Sequence, residues 1–275
     1  MSVAGLALGR MLVPFAADGD DGGFHPPTLE DFFPPAIFFE GTIFEFNRIT
    51  MVRLIAVAVL CLLFWLSTRN MKLVPGRGQS IAEMSLGFVQ KNVAEEVLGK
   101  ESARRWTPLL TIMFFSVLAM NLTGIVPFLN IAGSSVVGFP LVMAIIAWVA
   151  FIYAGIRKHG GLAFFKDQLF PPGVPWPLYL ILAPIELVST FVLRPATLTI
   201  RLLSNMMAGH FLLVLCFSAT NALFVYATWA FKPLGVVTAV AGTAFIGLEL
   251  FIACLQAYIF ALLTAVYISL SEEGH

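Results

Sequence analysis

The sequence predicts an all-α integral membrane protein. About five membrane-crossing helices are expected, with a cytoplasmic amphipathic surface helix and with the last two crossings long and strongly tilted. Three observations carry this reading. Of 275 residues, 59% are hydrophobic and 12% charged, whereas soluble domains carry about 25% charge. The apolar residues gather into five tracts, each near or beyond the roughly 20 residues that cross the hydrocarbon as a helix. The densest basic cluster lies between the first two tracts, which gives the topology a direction.

Residues 1–48 read as an extramembrane segment on the external side. AA before Asp18 resembles a small-residue cleavage site, but Arg10 interrupts the apolar stretch a signal peptide would need. The Pro- and aromatic-rich run FHPPTLEDFFPPAIFFEGTIFEFN reads as an ordered stretch near the interface. The helical membrane domain is 49–275. Residues 49–68 form the first span, with Arg53 near one end and able to snorkel. Trp106–Leu129 is the second span and Phe139–Ile156 the third, closed by Arg157 and Lys158.

The loop 69–105 carries Arg69, Lys72, Arg77, Lys91, Lys100, Arg104 and Arg105, while NIAGSSVVG between spans two and three carries no basic residue. The loop is therefore expected in the cytoplasm, the N-terminus outside and, after five crossings, the C-terminus in the cytoplasm. Within it Ile81, Met84, Leu86, Phe88, Val89, Val93, Val97 and Leu98 recur at roughly helical spacing. That pattern predicts an amphipathic helix on the membrane face. The tracts from about Leu178 to Phe217 and from about Leu234 to Leu270 exceed one perpendicular crossing and lack a midpoint turn. Each is read as one tilted helix, kinked in the first case at Pro184 and Pro195.

A net charge of zero argues against nucleic acid, whose phosphates need a basic surplus. Cys61, Cys216 and Cys254 sit in apolar runs without metal-type spacing and read as small core residues. No phosphate-binding G-x-x-x-x-G-K-[ST] loop is present, so ATP chemistry has no seat in this chain.

Against this background RPATLTIRLLSNMMAGH, residues 194–210, is unusual. Charges in lipid are costly and usually mark function. On a helical wheel Asn205, Ser204, Thr197 and Arg194 lie near Arg201. Thr190 and Glu186 join this stripe if the helix stays regular through Pro195, and His210 points nearly opposite. On the last tract Glu249 and Gln256 share a face with Tyr267. Ser204, Thr197, Thr190 and Tyr267 read as interhelical hydrogen-bonding groups. Arg194 and Glu186 read equally as snorkelled charges near the cytoplasmic end. His210 finds its natural counterpart in Glu249. Arg201 cannot lose its charge, Asn205 cannot neutralise it, and its counter-charge is expected from another chain.

RLLSNMMAGH (201–210), LELFIACLQAYIFALLTAVYISL (248–270) and NLTGIVP (121–127) together resemble the subunit a family of the F-type ATP synthase membrane sector. The resemblance runs from about residue 40 to the C-terminus. It implies a stator subunit in a bacterial-type cell membrane, not catalytic by itself and without a cofactor. Its implied partners are a rotor ring of acid-bearing proteolipids, the peripheral-stalk subunit b, the rest of the ATP synthase complex and the lipid bilayer. Arg201 matches the Arg facing the ring, and Asn205 and Gln256 match its neighbours. His210 and Glu249 match the outer half-channel, while Glu186 and Arg194 are candidates for the cytoplasmic exit. A stand-alone ion-coupled transporter is the rival reading, but such proteins usually show internal repeats, and none is found. A purely structural scaffold would not explain Arg201.

Overall fold

Apolar tracts have no water to satisfy their backbone in lipid, so they close their hydrogen bonds as helices. In a computed structural model the described residues are 47–69, 76–126, 133–161, 164, 168, 179–225 and 229–273. Among them no strand occurs, and five helices are long and apolar enough to cross a membrane. The chain is an all-α integral membrane protein, as the composition predicts. Most of the N-terminal segment 1–48, Lys72, the end of the expected second span and the last two residues lie outside the described residues.

Helix α1 is Arg48–Arg69. α2, Arg77–Val89, runs through a π-helical turn, Gln90–Glu95, into α3, Glu96–Leu122. α4 is Gly138–His159. α5, Tyr179–Val188, continues through a second π-helical turn, Ser189–Leu193, into α6, Arg194–Val225. A 3-10 turn, Trp229–Phe231, leads into α7, Lys232–Glu273. At 1.5 Å per residue the 42 residues of α7 extend about 63 Å. That is twice a hydrocarbon thickness of about 30 Å, so α7 and the 45-residue Ile181–Val225 helix must run obliquely to keep their apolar length in lipid.

α7 is the centre of the bundle, with α3, α4 and α6 packed on it and α1 peripheral. Alanines set the spacing. Ala253, Ala257, Ala261 and Ala265 form a stripe every fourth residue of α7, each buried, and Ala144, Ala147, Ala150 and Ala154 are buried on α4. Small side chains let helices approach where lipid gives no hydrophobic drive. Gly155 on α4 is a tighter case, because an added Cβ would collide with Phe164 and Ser271. Ser271 donates to the Phe151 carbonyl at 2.7 Å, fixing α4 to α7 at this level.

The surface helix departs from a single amphipathic element. Ile81, Met84 and Phe88 are exposed, whereas Val89 and Val93 are fully buried and Val97 and Leu98 pack on the core. The π-helical turn re-aims the apolar face between these two halves. Gly99 then breaks the helix with φ 71° and ψ 165°, a conformation essentially reserved for glycine. No neighbour lies within 4 Å of where a Cβ would stand, so Gly99→Ala would act through backbone strain alone. A loss of about 1–3 kcal/mol is expected, readable as a lower melting temperature in detergent.

Two polar knots close the ends of the bundle. Arg53 does not snorkel: its Nε donates to the Gly133 carbonyl at 2.7 Å and its Nη2 to the Val136 carbonyl at 3.3 Å. In the same place Ser134 Oγ donates to Asn121 Oδ1 at 2.7 Å, and the Gly133 amide donates to Thr123 Oγ1 at 2.9 Å. At the opposite end Glu272 accepts from Ser102 Oγ at 2.5 Å and from Trp106 Nε1 at 3.0 Å. His159 Nε2 lies 3.1 Å from the Glu272 carbonyl. Glu272 thus ties α3, α4 and α7 together. Hydrogen bonds to a charged group contribute about 1.5–3 kcal/mol, so Glu272→Ala should lower thermal stability by roughly that amount, with Glu272→Gln losing less. The cysteines are a further departure: Cys61 and Cys254 are exposed and Cys216 is half-buried, and all three are free thiols.

Candidate functional site

The site lies along the antiparallel seam between α6 and α7. Asn205 Nδ2 donates to Gln256 Oε1 at 2.7 Å. Further along, a Cβ on Gly209 would lie 3.3 Å from Glu249 Oε1, so the absent side chain is what admits the carboxylate. Gly242 and Gly235 repeat this fit, facing Cys216 with Phe217, and Leu223 with Phe224. Gly235, Gly242, Glu249 and Gln256 fall at seven-residue intervals, the repeat that keeps one face of a helix on a left-handed seam. That spacing is readable in the sequence, yet the glycines were not among the candidate residues.

Glu249 is 5% exposed, and neither carboxylate oxygen has a hydrogen-bond partner among the described residues. A buried carboxyl group in that state calls for water, a cation or a proton to complete it. His210 is half-buried and follows Gly209 directly, on the neighbouring helix. No hydrogen bond joins His210 to the carboxylate. Gln256 is buried with its Nε2 unpartnered among the described residues.

Arg201 is placed differently. It is exposed on α6, as are Thr197, Ser204, Asn205 and Ala208, and among the described residues no acid pairs with it. Leu202 and Met206, on the other side of the same turns, are buried in the bundle. The guanidinium is therefore exposed on an apolar helix, on the side opposite the residues that helix buries among the described part of the chain. By helix rise His210 lies about 14 Å from Arg201 in one direction and Arg194 about 10 Å in the other.

The single polar stripe expected through Glu186, Thr190, Arg194, Thr197 and Arg201 does not form. The π-helical turn Ser189–Leu193 interrupts the regular helix just before Pro195, whose ring and missing N–H disfavour a regular turn. Thr190 is fully buried while Thr197 and Arg201 are exposed. Arg194 turns inward: its guanidinium carbon lies 5.0 Å from the Phe151 ring centre and 5.5 Å from that of Tyr267. Its Nη2 is 4.0 Å from Glu186 Oε1. Glu186 Oε1 accepts from Thr190 Oγ1 at 3.3 Å and from Gln168 Nε2 at 3.5 Å. Arg194 is thus packed between rings and not snorkelled.

The structure brings together Asn205 with Gln256, Glu249 with the backbone beside His210, and Glu186 with Arg194, and it leaves Arg201 facing outward between them. A family model described as ATP synthase A chain matches residues 50–269. The chain belongs to the ATP synthase A chain family. Among its relatives, ATP synthase subunit a of Rhodococcus erythropolis (strain PR4 / NBRC 100887) is 47% identical over 249 residues, covering 90% of each chain. ATP synthase subunit a of Frankia alni is 38% identical over 261 residues, covering 94% of this chain and 88% of the relative. The protein of that name from Pseudarthrobacter chlorophenolicus is 36% identical, covering 93% of this chain and 97% of the relative. Membership in the ATP synthase A chain family thus spans the whole helical region that carries the site.

Proposed function

We propose that this chain is the non-catalytic stator subunit a of an F-type ATP synthase membrane sector, carrying protons to and from a rotor ring through two offset half-channels. One observation supports it most: Arg201, a permanent cation, stands exposed on a membrane helix without an acid of the described chain beside it. The missing anion is a carboxylate on a ring of small hairpin subunits. The exposed faces of α6 and α7 around it, including Ile200, Leu212, Leu248 and Phe251, offer an apolar surface for such a ring. Subunit b and the remaining subunits of the complex complete the stator.

Glu249 and His210, with Asn205 and Gln256, line the outer half-channel. Glu186 and Arg194 mark the inner one. Arg201 lies between the two sets, so a proton reaching Glu249 has no path inward past it except on the rotor. A proton crossing 100 mV releases about 2.3 kcal/mol, and a continuous wet path would dissipate that as heat. Arg201 raises the energy of any hydronium in transit and favours the ionised form of an arriving rotor carboxylate. At 4 Å and an effective dielectric of 20 the attraction is about 4 kcal/mol, offset by desolvation, so the pair forms and separates again.

The basic residues Arg69, Arg77, Lys91, Lys100, Arg104, Arg105, Arg157 and Lys158 are exposed. Their clustering at one end of the crossings supports a cytoplasmic loop 69–105, an external segment 1–48 and a cytoplasmic C-terminus. A photo-crosslinker at Ser204, exposed beside Arg201, should trap a small acid-bearing proteolipid in native membranes. Capture of a segment of the same chain instead would remove the rotary reading.

A further inference from the structure

Arg194 sits in an arrangement that an ion pair alone does not explain. Its Nη2 stands 4.0 Å from Glu186 Oε1, beyond hydrogen-bond reach, and its Nη1 is buried with no hydrogen-bond partner among the described residues. The cation is held by rings: Phe151 from α4 at 5.0 Å and Tyr267 from α7 at 5.5 Å, inside the roughly 6 Å over which such contacts attract. The Phe151 side is rigid. Phe151 is 1% exposed, its ring meets Phe164 edge-on at 5.7 Å, and its carbonyl accepts from Ser271. Among the described residues Glu186 meanwhile keeps only long hydrogen bonds from the neutral groups of Thr190 and Gln168, and its side chain is 28% exposed.

We propose that Phe151 and Tyr267 are positioning residues that cage the Arg194 guanidinium and hold it off Glu186, leaving the Glu186 carboxylate open to proton exchange on the inner access path. A closed bidentate Arg–carboxylate pair is short and strong, and every proton taken up by Glu186 would first have to break it. Caged, Arg194 still contributes positive potential at the inner mouth without occupying the carrier. This inference rests on the rotary reading and adds to it a reason for the aromatic pair.

The test uses whole ATP synthase in proteoliposomes, with synthesis driven by an imposed pH and potential jump and rates normalised to assembled complex. Releasing the cation with Tyr267→Leu should lower the rate roughly 5- to 10-fold, and Tyr267→Phe should restore it to within about twofold. In an Arg194→Gln background, where no cation remains to be held, Tyr267→Leu should change the rate less than about twofold. The same loss in both backgrounds, or no loss in either, would overturn the cage. So would complete loss in Arg194→Gln alone, or an unchanged rate in Glu186→Gln. Should Tyr267→Leu fail to assemble, Tyr267→Met carries the same comparison. Arg201→Ala is run alongside: normal synthesis there would defeat the rotary reading itself, whatever the cage variants do.

Discussion

Replacing Arg201 with Ala should reduce ATP-driven proton pumping to background, at least about 100-fold, while passive proton leakage through the complex persists or rises. The expectation comes from position. Arg201 is the exposed cation on its face of α6, and the next arginine on that helix, Arg194, is about 10 Å away by helix rise and packed between two rings. Beyond these two arginines, Arg194–Val225 carries no Lys or Arg to replace the lost charge. Inverted membrane vesicles with a pH-sensitive dye read both quantities: quenching on ATP addition, and decay of an imposed gradient. Arg201→Lys keeps a charge but loses the planar, weakly hydrated fork, and it should also fail to pump. Normal coupled pumping in Arg201→Ala would take away the barrier role assigned to the guanidinium.

The second large effect concerns His210 and Glu249. His210→Ala and Glu249→Ala should each lower ATP synthesis more than about tenfold, the scale on which a positioned proton-transfer group acts. Exchanging the two, His210→Glu with Glu249→His, should recover more activity than either single loss retains. The reason is geometric. Glu249 packs against the backbone of Gly209, the residue before His210, so the exchange keeps one acid and one imidazole at the same crossing of α6 and α7. An exchanged protein as inactive as the single variants would show that the two groups do not work as a pair. The half-buried imidazole and the buried carboxyl also leave little room, so Gly209→Val should impair synthesis without touching either residue.

Much of this architecture is legible in the sequence because it depends on local composition. The first and third spans, expected at 49–68 and 139–156, are Arg48–Arg69 and Gly138–His159. Long apolar tracts without a midpoint turn do form continuous helical spans up to Val225 and Glu273, the first of them carrying one π-helical turn, Ser189–Leu193. What the sequence hides is what depends on partners far along the chain. Arg53 reads as a snorkelling residue because its acceptors, the carbonyls of Gly133 and Val136, lie more than 80 positions later for one and 80 for the other. The terminal SEEGH reads as a tail, yet Glu272 is the acceptor that fastens three helices.

The candidate site divides in the same way. Residue types and helical spacing single out Arg201, Asn205, His210, Glu249 and Gln256. They do not reveal which residues face each other, since the antiparallel register pairing Asn205 with Gln256 and Gly209 with Glu249 is a property of two helices together. The wheel also fails where the helix does. A π-helical turn before Pro195 separates Glu186 and Thr190 from the Arg201 face, and such a turn has no local signature apart from the proline that follows it. Phe151 was missed for a simpler reason: one phenylalanine among 26 gives no sign that it holds a cation.

The alanine stripe of α7 makes mutation at that contact one-sided. Ala253, Ala257, Ala261 and Ala265 are already within one methyl group of bare backbone and are at most 4% exposed, so nearly every exchange adds volume where none is free. Variation can therefore enter this helix through its exposed positions away from the proposed ring face, such as Leu250 and Leu255. The buried side of α7 can change only by moving whole helices apart.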